Sequence, residues 1–395
     1  MSAMLKGTSL KSVDNRKIRK YFTLEQSTGH FNNLRHLDNQ YMASSNRSKL
    51  KKLFAREKES DEYKSLKSIG PVLAYKSLKH RIYALYAELI VSSHPDNNII
   101  YPFFGNFPHL SGLVKAKTVF LQHGVIKDDI SFWLNKFDKN LDMIVTSADK
   151  EKESFLSHFD DDGNYIQSFY GYESDVIQVL GLSRFDYLER KEDKKEIVIM
   201  PSWRRQFHDY DNDEFVMTGF FKHYNELLND DKLISALEDK GYRLVFKPHP
   251  NLNKFMPLFD KDKRVEFDLN DLNYEGEKYN SRRYIDIFNH SSLVVTDFSS
   301  VFFDFAYLKK PVVYYHYDND YHYDSVNGYF DYETMGFGPV AHDCDELVEC
   351  ILNYIDNDCV MEEEYRKRID GFFKYTDRDN CKRTYKAILE LDKYY

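Results

Sequence analysis

The chain has 395 residues, 42% hydrophobic and 16% aromatic, with 55 Lys and Arg against 64 Asp and Glu, a formal net charge of −9. That length predicts two domains rather than one core, and that composition excludes a disordered chain. The 31 Tyr and 30 Phe suit either a wide surface for a polymer or lipid-linked acceptor, or simply large cores.

Charge is spread unevenly. Met1 to Ile90 carries 18 Lys/Arg and 8 Asp/Glu, a net +10, which leaves −19 for the remainder. A basic first segment on an acidic body suits an anionic membrane surface or a polyanionic acceptor, and a solvated helical face explains it equally well. No nucleic-acid-binding motif accompanies the charge, so nucleic acid is not an expected partner.

Residues 1–76, with the runs NRKIRK and RSKLKKLFAREKE, are expected to be a basic, mainly helical segment at the edge of the first domain. From Ser77, SLKHRIYALYAELIVSS reads as an amphipathic helix running into a short strand. Brief apolar runs follow at Asn98–Phe104, Thr118–Leu121, Met143–Thr146 and Val176–Leu180, separated by helix-length polar stretches. Such alternation indicates a parallel α/β sheet, placing a Rossmann-like domain over 77–190. The charged stretch LERKEDKKE, Leu188 to Glu196, is the expected linker. The rhythm then restarts in EIVIM, RLVFK, VEFDL, LVVT and PVVYY, giving a second Rossmann-like domain over 197–395. Its last helices are expected to pack back on the first domain, with a cleft between the halves.

Several strands end in residues suited to chemistry, at the sheet edge where α/β proteins bind ligands. In FLQHGVIKDD, Phe120 to Asp129, Gly124 is expected to permit a sharp turn presenting His123 as a general base or as a partner of nearby backbone. In VFKPHP, Lys247 and His249 offer a cation and a donor to a pyrophosphate, with Pro248 and Pro250 stiffening the strand exit. In VVTDFSSVFFDFAYLKKPVVYY, Ser299 and Ser300 lie at an expected helix start, where phosphate oxygens or a simple N-cap would use them. Asp304, four residues on, would accept a donor hydroxyl or favour the helix terminus. Arg184 and Arg204, each after an apolar strand, are suited to phosphates or salt bridges.

Other classes are disfavoured. No P-loop, dinucleotide fingerprint, zincin or nucleophile-elbow motif occurs. Cys344, Cys350, Cys359 and Cys381 lack zinc-ligand spacing and suit free thiols in a reducing compartment. The triplets Asp211-Asn212-Asp213 and Asp318-Asn319-Asp320 are expected to be polar loops. With no apolar leader and no run of membrane-spanning length, the expected location is cytoplasmic, peripheral on the inner face of the membrane.

In order along the chain, QHGV with KDD, GLSRFD (Gly181 to Asp186), PSWR (Pro201 to Arg204), KPHP and TDFSSVFFDFAYLKKPVVYY resemble the CDP-glycerol glycerophosphotransferase family of teichoic acid and capsule polymerases. The resemblance runs from about Leu78 to the C-terminus. It implies a GT-B architecture in which the second domain holds the donor and the first the acceptor. It further implies His123 as base, His249 as a catalytic pyrophosphate contact, and Ser299 and Ser300 as pyrophosphate contacts that bind the donor. Gly124, Val125, Arg184, Pro201, Ser202, Lys247, Pro248 and Asp304 would line the donor site. The implied reaction moves glycerol phosphate, or a related phospho-alditol, from CDP-glycerol to a polymer hydroxyl, releasing CMP. No tightly bound cofactor is implied, and magnesium would travel with the donor. The family often has His-Gly-Thr-Pro where this chain has His123-Gly124-Val125-Ile126, and Arg-Gly where it has Asn327-Gly328, so the transferred group stays open. Two rivals stand beside this: a GT-B glycosyltransferase using a nucleotide sugar, and a non-catalytic polymer-binding subunit of a cell-surface assembly complex.

Overall fold

A computed structural model of the chain describes residues 20–24, 51–56, 67, 71–103, 108–156, 170–269, 284–318 and 328–391. Thirteen strands among them form two all-parallel sheets. In the first, β1 (Lys20–Leu24), β2 (Lys51–Arg56), β3 (Val72–Ala74), β4 (Leu89–Ser92), β5 (Lys117–Phe120), β6 (Met143–Thr146) and β7 (Ile177–Val179) lie in the order 3-2-1-4-5-6-7. In the second, β8 (Glu196–Met200), β9 (Arg243–Phe246), β10 (Val265–Phe267), β11 (Leu293–Thr296), β12 (Val312–Tyr315) and β13 (Val340–Ala341) lie in the order 10-9-8-11-12-13.

Each sheet therefore has its first strand near the middle and reverses direction beside it, the doubly wound pattern whose ligands sit at the switch point. Strands β4, β6, β8, β11 and β12 are buried along their whole length, as sheets covered on both faces require. Helices cap themselves with local acids and hydroxyls: Ser77 caps α1 (Leu78–Leu85), and Asp230 caps α3 (Asp231–Lys240), which ends at Gly241 with φ of 71°. Asp343 does the same for the long helix Cys344–Asp356.

Two elements differ from expectation. Within residues 1–76 the stretches 20–24, 51–56 and 72–74 are strands, where a mainly helical segment is expected: β1 pairs with both β2 and β4, so the basic segment supplies the centre of the first sheet. Lysines and arginine at the ends of KKLFAR mask its apolar middle, Leu53-Phe54-Ala55. The rest of that segment, including most of NRKIRK, lies outside the described residues. The expected strand at Asn98–Phe104 begins instead as a helical turn, Asn97–Ile100, entered from Pro95-Asp96 and followed by Pro102.

The aromatics mostly fill cores. Phe302, Phe303, Phe330, Phe337, Phe372 and Phe373 pack together beside the second sheet, and Phe215 stacks on Phe255 at 3.9 Å. The same apolar cluster takes in Val125, Leu182 and Phe185 from the first half of the chain, so it also seals the two halves. The helix Asn380–Leu391 packs through Cys381 and Ile388 on Leu89, Val91, Val119 and Val145 of the first sheet. Its first amides, of Asn380 and Cys381, donate to the Asp186 carboxylate at 2.9 and 2.8 Å. No helix among the described residues is long and apolar enough to cross a membrane.

Candidate active site

The loops singled out by sequence all leave carboxyl ends of strands. PSWR follows β8 and TDFSS follows β11, the two strands flanking the second sheet's switch point, and KPHP follows the neighbouring β9. QHGV follows β5 of the first sheet.

On the first wall, the sharp turn falls on Gln122, with φ of 61°, and not on Gly124. Gln122 is fully buried and its side-chain amide donates to the Val145 carbonyl at 2.6 Å, holding a conformation that costs a non-glycine residue. Gly124 serves a different need. A Cβ there would stand 2.5 Å from the Ser300 hydroxyl oxygen, so the glycine lets the second domain approach. Part of the His123 side chain is exposed. Its Nδ1 lies 3.2 Å from the Ser93 carbonyl, which only accepts, so Nδ1 carries the proton and Nε2 is the basic atom. Enclosure by protein lowers its pKa below the ordinary value; the Ser93 bond opposes this, and the nearby Arg184 adds to it. The ring stacks on His94 at 4.8 Å.

On the second wall, Asp297 organises the loops. Its Oδ1 accepts from the Ser202 and Phe298 amides at 2.8 and 2.7 Å, and its Oδ2 accepts from Arg204 at 2.8 Å. Burial alone would raise this carboxyl, but Arg204 and Ser202 pull it below the usual range. His249 caps the 3₁₀ turn Pro250–Leu258, its Nδ1 accepting from the Asn251 amide at 3.2 Å. Its Nε2 therefore carries the hydrogen, and burial holds its pKa down to about 4, making it a neutral donor near pH 7. The imidazole stacks over Trp203 at 5.8 Å. Gly124 lies against Ser300, the 297–300 loop is tied at Asp297 to the Ser202 amide, and the adjacent Trp203 stacks on His249.

Several residues expected to touch the donor are engaged elsewhere. Lys247 is buried and pairs with Asp268 at 3.0 Å, so its charge is met inside the second domain. Arg184 and Asp304 are both buried and bind each other through two parallel bonds of 2.8 and 2.7 Å, joining the halves. Arg184 also donates to the His123 carbonyl, so it fixes the backbone at His123. Val125 is buried in the sealing apolar cluster, and Pro201 and Pro248 are buried at strand exits. Ser299 and Ser300 lie in the turn before the short helix α5 (Phe302–Tyr307), whose N-cap is Val301. Asp211 forms a capping box with Glu214, and Asp318 lies 3.7 Å from Arg204; Asn319, Asp320 and Asn327 lie outside the described residues.

Sequence reasoning passed over Asp268, His94 and the part Asp297 plays in tying the loops together. None has a spacing signature, because the partner of each is brought by another strand. His316, stacked on Phe298 at 4.3 Å beside the Ser299–Ser300 turn, was missed likewise.

Residues 8–390 match the family described as CDP-glycerol:poly(glycerophosphate) glycerophosphotransferase. The chain is 39% identical over 353 residues to the minor teichoic acid biosynthesis protein GgaB of Bacillus subtilis, covering 87% of this chain and 37% of that protein. It is 28% identical over 198 residues to a teichoic acid poly(glycerol phosphate) polymerase of Bacillus spizizenii, covering 50% of this chain and 45% of the relative. The chain thus spans less than half the length of these relatives. Among solved structures, the wall teichoic acid polymerase TagF superposes with a TM-score of 0.64 at 18% identity, covering 96% of this chain and 91% of that one. A putative UDP-N-acetylglucosamine 2-epimerase from Listeria monocytogenes gives a TM-score of 0.55 at 14% identity, covering 94% and 95%. Such likenesses speak to fold, and with the two parallel sheets they make this a two-domain GT-B protein.

Proposed function

Because the chain belongs to the CDP-glycerol:poly(glycerophosphate) glycerophosphotransferase family, we propose that it transfers glycerol phosphate, or a closely related phospho-alditol, from CDP-glycerol to a hydroxyl of a teichoic-acid-like polymer. His123 Nε2 takes the proton of the acceptor hydroxyl, and that oxygen attacks the phosphorus bearing the glycerol. The bond from that phosphorus to the bridging oxygen breaks, and CMP leaves with the bonding pair. The Nε2–H of His249, with Ser299 and Ser300, meets the charge that grows on CMP. Magnesium would accompany the donor's pyrophosphate.

The observation that carries this reading is the pairing of opposite tautomers. One histidine is fixed as an acceptor by Ser93 and the other as a donor by Asn251. A pure polymer-binding subunit has no use for that pair. The basic balance of Met1 to Ile90 supports work at an anionic membrane surface.

The test is CMP release from CDP-glycerol with a glycerol-phosphate-primed acceptor, beside CDP-ribitol and UDP-sugar arms. We expect turnover with a CDP-alditol and none with UDP-sugars; the reverse would hand the protein to the glycosyltransferase class. Repeating the assay with the acceptor on anionic and on neutral vesicles, at low and high salt, tests the surface reading. Rates indifferent to both variables would remove it.

A further inference from the structure

Glu151 is fully buried in the first domain, three residues into α2 (Asp149–Phe155), and takes no part in the chemistry above. Its Oε1 accepts from the Ile126 amide at 2.9 Å and its Oε2 from the Ser147 amide at 2.6 Å. Among the described residues no cation pairs with it; the two amides and the Gln122 side chain offset its charge. One carboxylate therefore ties both ends of a small structure: the loop leaving β5, which carries His123, and the turn leaving β6. Between the tied points the chain passes through the left-handed conformation of Gln122, which persists only if its surroundings impose it.

Resting on the reading above of His123 as base, we propose that Glu151 is a positioning residue for it: the ionised carboxylate clamps the Gln122–Ile126 loop to the start of α2, and neutralising it lets the base leave its working position. Protonation removes the charge and gives one of the two oxygens its own hydrogen, which competes with the amide donor there and weakens the hold on the loop. Burial pushes this carboxyl up to about 7, against the pull of its amide bonds, so that change falls near neutrality. Asp128 and Asp129 lie downstream on the loop, Asp128 paired with Lys127, and Tyr170 packs on Phe155 of the same helix. Tyr329 arrives from the second domain, its hydroxyl pushed up by burial and further by Glu151, Asp128 and Tyr170. Lys150 and Lys152 share the helix but turn to Met335 and Ser174.

The sign is fixed by two requirements. Glu151 must be charged, so turnover falls as pH drops through about 7. His123 must be neutral, and its lowered pKa puts its own loss at a more acid pH. In the wild-type protein we expect kcat to fall in two steps. In Glu151→Gln the upper step should vanish, with kcat down roughly 10- to 100-fold and the KM for CDP-glycerol within about twofold, as for a misplaced base. A structural glutamate would lower stability without moving the profile. A second readout needs no turnover: in the ¹⁵N-labelled wild-type protein, the Ile126 and Ser147 amide resonances should titrate together near pH 7. Amides that do not titrate between pH 6 and 8, or a Glu151→Gln enzyme with the wild-type rate and profile, would overturn the clamp. If CDP-glycerol proves not to be the donor, the amide titration still decides it.

Discussion

At the scale of single residues, the two histidines make opposite demands and so fail in opposite ways. In the proposed mechanism His123→Ala removes the acceptor of the proton while touching no donor contact, so turnover should fall roughly 10²- to 10⁴-fold with CDP affinity nearly unchanged. His249→Ala removes a donor to the departing CMP, weakening donor binding and slowing transfer together. Calorimetry with CDP and single-turnover CMP release check both; a His123→Ala protein with normal transfer would pass the role to Asp128 or Asp129. Both histidines were visible in the sequence, since each follows an apolar strand within a stiff motif. Their tautomers were not. They are set by the Ser93 carbonyl and the Asn251 amide, and only the fold shows which ring nitrogen faces each. Lys247 shows the reverse case: chemically suited to phosphate, it is met by Asp268, which lies 21 positions away just past the end of β10.

At the scale of elements, strands with apolar middles were legible to within a residue or so, as in β6, β8, β11 and β12, because sheets covered on both faces need continuous apolar runs. The basic strands β1 and β2 were not, because charge at their ends outweighs three or four apolar residues in any pattern count. The Gln122–Val125 loop was legible in kind and misassigned in detail: the turn needs a left-handed residue, but Gln122 supplies it and Gly124 supplies room. Gly124→Ala should therefore fold, since the clash is with the end of a serine side chain and not with backbone. It should push the Ser300 hydroxyl from the cleft and lower transfer about 10-fold, with a melting temperature near wild type. Thermal melts beside CMP-release rates test this, and an unimpaired Gly124→Ala enzyme would mean that the approach of Ser300 is irrelevant to the reaction.

At the scale of the whole molecule, the question is what holds two sheets so that their carboxyl edges meet. Apolar packing through Val125, Leu182 and Phe185 supplies area, and the helix Asn380–Leu391 returns to the first sheet after the chain has built the second. The Arg184–Asp304 pair adds registry, being buried, bidentate and bonded onward to the His123 carbonyl. Taking one partner away leaves a buried charge without its counter-ion, so Arg184→Met or Asp304→Leu alone should cost about 3–5 kcal/mol. Removing both leaves apolar groups of similar bulk in a site already lined by Phe185 and Tyr307, and most of that stability should return. Turnover should not return with it, because the double variant still lacks the donor that fixes the His123 backbone. Denaturation and CMP-release rates on the two single variants and the double separate these roles. Single variants as stable as wild type would deny the pair any part in joining the domains. A double variant that recovers full turnover would reduce Arg184 to a structural ion, leaving the aim of His123 to Ser93 and Glu151.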